Sequence, residues 1–451
     1  MLHKATPLFN RLFDRIGRMP VVDSHEHLRG PERDLAEMAP EPIAALTTMY
    51  LISDLWSTGA TETEIQLLQS PEVTTDQKWP LFQRLWEATR HTAYARVTKI
   101  ALKQSFDIAE ITRESLEQIA GKLAARDQAY YLRLFDDAGV KAVIADVLFP
   151  PPWERPVRYF DSPVLKEYLH GKFRLPAIWH PVFSLPYYHE LRLRDMVDFV
   201  GALAEESITS LAEYEAALFK VVKRSQECGI VAFKDQSAYR RVIDYELPPR
   251  SDAERIFNRL LSDPRNQLAW PDAKPLDDYL FHQFMRWARD LDVPVQIHTG
   301  HLAYIRNRVD KANAAHFASV LELHRRVQFD LFHGNWPYMG DALFLAKNYP
   351  NVSLDMCWVN IIDPLYSQQM LERSVVTVPY TKIMGFGGDY WTAPEYSIAH
   401  LTIARQVIAA ALANLVERGW LEEADAVEIA AGWLYNNPNE FYQLGLPVYV
   451  P

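Results

Sequence analysis

The chain has 451 residues, 49% hydrophobic and 23% charged, a balance that supports a sizeable core and excludes disordered and fibrous classes. Its formal net charge is −11, and no cluster of Lys or Arg is dense enough to hold a phosphate backbone, which argues against a nucleic-acid partner. The two cysteines, Cys228 and Cys357, lie far apart without zinc-motif spacing, so neither a disulfide framework nor a Cys-metal cluster is expected, and the cytoplasm is the default compartment.

In chain order, MLHKATPLFNRLFDRIGRMP (1–20) spaces Leu8, Phe9, Leu12, Phe13 and Ile16 as one face of a helix packed on the rest of the protein. It lacks the continuous apolar core of a signal peptide. No later stretch approaches the roughly 20 apolar residues that cross a bilayer, so no membrane association is expected.

Eight short apolar runs then alternate with helical stretches, the pattern of a parallel sheet. They are MPVVDSH (19–25), VKAVIADVLF (140–149), LPAIWHPVF (175–183), GIVAFK (229–234), VPVQIHTG (293–300), RVQFDLFHG (326–334), NVSLDMCW (351–358) and KIMGFGGDY (382–390). Eight such units predict a single α/β domain over 1–451, a (β/α)8 TIM-type barrel. Two segments read as insertions over its active-site end: the mainly helical region from about 28 to 139, after strand 1, and the region from about 235 to 291, after strand 4.

The chemistry gathers where the runs end, the face on which such barrels keep function. His25 and His27 close the first run two residues apart, so both can point to one ion. Lys234 ends the fourth run, His298 the fifth, His333 the sixth and Asp389 the eighth. Acids and imidazoles converging on one mouth are costly to bury without an ion or mutual hydrogen bonds. Lys234 has two readings: a lysine paired with an acid, or an amine turned by carbon dioxide into an anionic carbamate that bridges two ions. Asp23 is expected to orient a ligand histidine or to bond to backbone. Arg240 and Arg241 follow Lys234 closely, with Tyr239, His301, Tyr390 and Trp391 near other strand ends. Arg240 is the candidate clamp for a substrate carboxylate, with the aromatic residues as walls.

This set, His25-x-His27, Lys234, His298, His333 and Asp389, resembles the metal pattern of the amidohydrolase superfamily over nearly the whole chain. The segment AFKDQSAYRR (232–241) is similar to the lysine-containing stretch of amidohydrolase domains related to those fused to glutamine synthetase-like proteins. The long insertion after strand 1 and YNNPNEFY (435–442) look like uronate isomerases, whose pattern lacks the fourth-strand lysine and uses the sixth-strand histidine differently. The resemblance implies a TIM-type barrel binding one or two divalent ions, zinc above all. It implies hydrolysis of a C–N or C–O bond in a small, anionic, carboxylated substrate, with Asp389 as base and His333 as second ligand or oxyanion partner. Uronate isomerisation, metal-dependent decarboxylation and a noncatalytic, ion-stabilised barrel are the alternatives. A homo-oligomer is compatible with all of them.

Overall fold

Each apolar run contains a strand. Parallel barrel strands are covered on both faces, so their sequences read as near-continuous Val, Ile and Phe. The computed structural model describes residues 6–38, 41–148 and 163–451; position 149, where the second run was expected to end, lies outside them. The strands are β1 (Val21–Glu26), β2 (Val140–Ala145), β3 (Trp179–Ser184), β4 (Ala232–Asp235), β5 (Val295–Ile297), β6 (Phe329–Leu331), β7 (Val352–Asp355) and β8 (Ile383–Met384). They pair in sequence order, every neighbour parallel. The seam between first and last strand is sewn beyond the end of β8: Ser24 N donates to Phe386 O (3.1 Å), Asp389 N to His25 O (2.9 Å) and His27 N to Tyr390 O (2.9 Å). Two residues destined for the site, His25 and Asp389, are thus joined through the barrel's own closure.

Among the described residues, eight helices separate β1 from β2, running from Pro31–Glu37 to Gln128–Asp137. They enclose a core of their own around Ile43, Leu55, Ile65, Phe82 and Leu116. After β4 come a 3-10 turn (Ser237–Tyr239) and the helices Arg250–Ser262 and Lys274–Leu291, the last of which returns the chain to β5.

The N-terminal helix, Pro7–Ile16, is capped by Thr6, buries Phe9, Leu12 and Ile16, and packs on the helix Pro394–Glu417. That second helix amends the membrane expectation. Its 24 residues are long and apolar enough to cross a bilayer, but most of its apolar window is buried inside the fold, as a core helix should be.

Inside the barrel, the layer beneath the candidate ligands is polar. Asp23, Gln296, Asp330 and Asp355 are fully buried there. Tyr442, from the C-terminal segment, reaches in to donate to Asp330 Oδ2 (2.5 Å) and accepts from Gln296 Nε2 (2.8 Å). Burial and the adjacent Asp355 push the Asp330 carboxyl well above its ordinary range.

Gly388 shows how tightly this end is closed. A Cβ added there would lie 1.8 Å from Glu26 Oε1 and 2.6 Å from Ser397 Oγ. Gly388→Ala is therefore expected to cost about 3 kcal/mol, as overpacking does, and to lower the thermal midpoint; an unchanged midpoint would contradict this packing.

Candidate metal centre

The strand ends deliver five of the six predicted ligands, His25, His27, Lys234, His298 and Asp389, to the lining of one cavity, while His333 lies behind His298. Asp389 Oδ1 lies 3.3 Å from His25 Nε2 and 3.3 Å from His27 Nε2. His27 Nδ1 faces Asp146 O at 3.2 Å, which orients the ring so that Nε2 points at the carboxylate. Two ligand atoms on a tetrahedral zinc ion, each about 2.0 Å from the metal, stand about 3.3 Å apart. The spacing suits a shared ion.

A second convergence lies on β5 and β6. His298 Nε2 donates to His301 O (2.7 Å) and His333 Nδ1 to Cys357 O (3.0 Å), taking the tautomers from those carbonyl partners. The remaining nitrogens, His298 Nδ1 and His333 Nε2, then face each other at 3.1 Å as two lone pairs. Burial, reinforced by the Lys234 charge, lowers the His298 pKa to about 3. Burial and His298 hold His333 well below the imidazole range. Both rings are therefore neutral near pH 7, the form that ligates metal, and neither supplies a proton for the gap between them.

The first pair is electrostatically different. At His25, burial and Lys234 prevail over Asp389 and push the pKa well below normal. At His27, burial is outweighed by Asp389 and Asp146, which raise it. Burial pushes Asp389 up, but its hydrogen bonds and attraction to the two imidazoles hold it well below the carboxylate range. Asp389 also sits at φ 61°, and Met49, His333 and Trp358 share positive φ; such strain in non-glycine residues gathers at functional sites.

Lys234 is 1% exposed, its Nζ lies 3.5 Å from the Phe332 ring centroid, and it has no hydrogen-bond partner among the described residues. Among the described residues no acid forms an ion pair with it. An orphaned buried amine beside four imidazoles and a carboxylate fits a centre completed by cations and an anionic bridge. Asp23 bonds to backbone as expected: its Oδ1 accepts from His25 N (3.2 Å) and Gly388 N (3.0 Å), tying β1 to the loop that carries Asp389.

Other predicted residues divide. Tyr239 and Trp391 line the cavity, while the His301 ring packs 4.9 Å from Trp358. Tyr390 is buried against Tyr50 and Tyr396. Arg240 is drawn away by the 3-10 turn before it, its Nε 2.7 Å from Glu190 Oε2, and Arg241 is buried against Asp278; neither lines the cavity. Sequence reasoning passed over Tyr50, whose hydroxyl donates to Asp389 O, and Asp146, whose carboxylate is buried near His27 and Lys234. The wide spacing from Cys228 argued against a cysteine cluster, yet Cys357 Sγ lies within 4.8 Å of possible ligand atoms of His333 and Asp389.

The model of the amidohydrolase family matches residues 170–444. The chain belongs to this family. Members are generally metal-dependent enzymes, in keeping with the ligand groups described above. The chain is 28% identical to the protein fluG of Emericella nidulans over 228 residues, 48% of this chain and 26% of that protein; it spans about a quarter of that relative's length. It is 23% identical to a uronate isomerase of Brucella canis over 96% of both chains. In fold it resembles a solved structure described as a metal-dependent hydrolase from Lactobacillus casei, with TM-score 0.64 and 20% identity over 97% of this chain and 99% of that one.

Proposed function

We propose that the protein is a metal-dependent hydrolase that adds water across a C–N or C–O bond of a small organic substrate. The carrying observation is the double convergence of possible ligand atoms: His25 and His27 on Asp389, and His298 on His333. His25, His27, His298, His333 and Asp389, with a modified Lys234, would hold one or two divalent ions, zinc being the best match to so many nitrogens. Such an ion supplies Lewis acidity and brings the pKa of water to about 7. Asp389 accepts the proton of the attacking water and returns it to the leaving atom. His27 is steered by Asp146 O and His298 by His301 O, so neither ring need reorient during the reaction. Tyr239, Tyr304 and Trp391 wall the organic portion of the substrate and limit bulk water.

Burial outweighs the neighbouring acids and lowers the Lys234 pKa, enlarging the neutral fraction that carbon dioxide can capture. The amine nitrogen would form the new N–C bond and release a proton, and the anionic carbamate at Lys234 would join the histidines and Asp389 in holding the ions. Protein prepared in bicarbonate without chelator is expected to carry two ions per chain by elemental analysis, falling to one or none in Lys234→Ala. One ion in both proteins would overturn the bridge.

Uronate isomerisation is the second reading, favoured by the match to a uronate isomerase along 96% of both chains. Incubation in 18O-labelled water separates the two. Hydrolysis of N-acyl, ester or lactone substrates places the label in product, whereas conversion of glucuronate to a ketose without net water uptake would put the isomerase first.

A further inference from the structure

We propose that Cys357 is a metal ligand: with His298 and His333 it holds the second ion of the centre, Asp389 standing between the two ion positions. This rests on the metal-dependent reading above and adds to it a sulfur donor from β7.

The backbone aims the thiol. Pairing with the β8 side continues past the end of β7, as Met356 N donates to Met384 O (2.9 Å) and Trp358 N to Gly387 O (3.0 Å). Side-chain alternation therefore persists, and Cys357 faces the same way as Asp355, the buried acid of the layer beneath, whose Oδ1 accepts from Cys357 N (2.7 Å). Gly387 backs it: a Cβ there would meet Cys357 Cβ at 2.8 Å and Sγ at 2.9 Å. Only glycine lets the two strand ends close on the thiol.

A buried cysteine is commonly a small hydrophobe. Here its surroundings are those of a ligand. Sγ, a His333 nitrogen and an Asp389 oxygen lie within 4.8 Å of one another, and sulfur and nitrogen on one zinc ion stand about 3.6 Å apart, so small side-chain shifts close the set. Two independent features demand an occupant: the facing lone pairs of His298 and His333, and the unpartnered, 1% exposed Lys234 amine. Cys357 is free of any disulfide. On binding, the thiol proton is released and the thiolate donates to the ion, favouring zinc or cobalt over magnesium, calcium or manganese.

The test is cobalt(II) titration of chelator-treated, full-length protein carrying Cys228→Ser, which removes the exposed thiol. A thiolate-to-cobalt charge-transfer band in the near ultraviolet is expected to grow with the second equivalent. Adding Cys357→Ser should abolish the band and weaken the second equivalent by at least about tenfold, while His25→Ala leaves the band in place. Uptake of two equivalents without the band, or a band that survives Cys357→Ser, overturns the proposal. The first of these needs no substitution in the core. Failure to take up cobalt at all overturns the metal-centre reading as well, whereas uptake on histidines alone removes only Cys357.

Discussion

Replacing His25 and His27 together by alanine is expected to strip the first ion and reduce turnover by about four orders of magnitude, the scale of losing activated water and charge stabilisation together. The fold should survive. The bonds that β1 lends to the seam run through His25 O and His27 N, backbone atoms the substitution leaves intact. In metal-free protein the His25 ring is itself costly, a buried imidazole whose Nδ1 has no partner among the described residues, so its loss forfeits packing against Phe332 but relieves desolvation. Asp389 should register the change most directly. Without the two imidazoles that hold it low, burial is left to act, and its pKa should rise out of the depressed range. Elemental analysis, circular dichroism and product formation read the three consequences; full metal occupancy in the double variant would refute the site.

The barrel was readable from sequence because a strand buried on both faces must be apolar along its length. Its edges were not. The eighth run reads as nine residues, 382–390, yet only Ile383–Met384 forms a regular strand; Gly385, Gly387 and Gly388 follow where close neighbours leave little room for a side chain, and the backbone takes positive φ at Asp389. The candidate ligands His25, His27, His298, His333 and Asp389 were legible because each stands at the end of a run, and a strand end has a fixed place in a barrel. Arg240, six residues past Lys234, was harder to place: a 3-10 turn, which carries no sequence period, sets it against Glu190 and outside the cavity lining. Tyr50 enters from the helices after β1, where nothing local indicates which side chain will overhang the barrel. Cys357 is 24 residues from His333, and only closure of β6 on β7 makes them neighbours.

Asp146 is a buried carboxylate that the metal-free fold leaves without hydrogen bonds among the described residues. It lies one residue beyond β2, its N donating to Glu26 O (2.8 Å) and its O facing His27 Nδ1, while neither carboxylate oxygen has a hydrogen-bond partner among the described residues. Burial raises its pKa from 3.8 to about 6, against the pull of His27 and Lys234. A folded pKa above the unfolded one means that the native state binds the extra proton. The resulting stability is complete below about pH 4 and is lost as pH rises to about 6. Two units correspond to about 3 kcal/mol. Asp146→Asn keeps the shape without the charge, so in chelator-treated protein its stability relative to wild type should rise by about 3 kcal/mol between pH 4 and pH 8. The slope is the test, because an unpartnered amide carries a pH-independent cost of its own. Loading both proteins with zinc should shrink the slope, since a cation beside His27 stabilises the Asp146 carboxylate that the empty fold disfavours. Parallel stability curves from pH 4 to pH 8 without metal would show that Asp146 stays ionised throughout, and that its field on the metal centre is permanent.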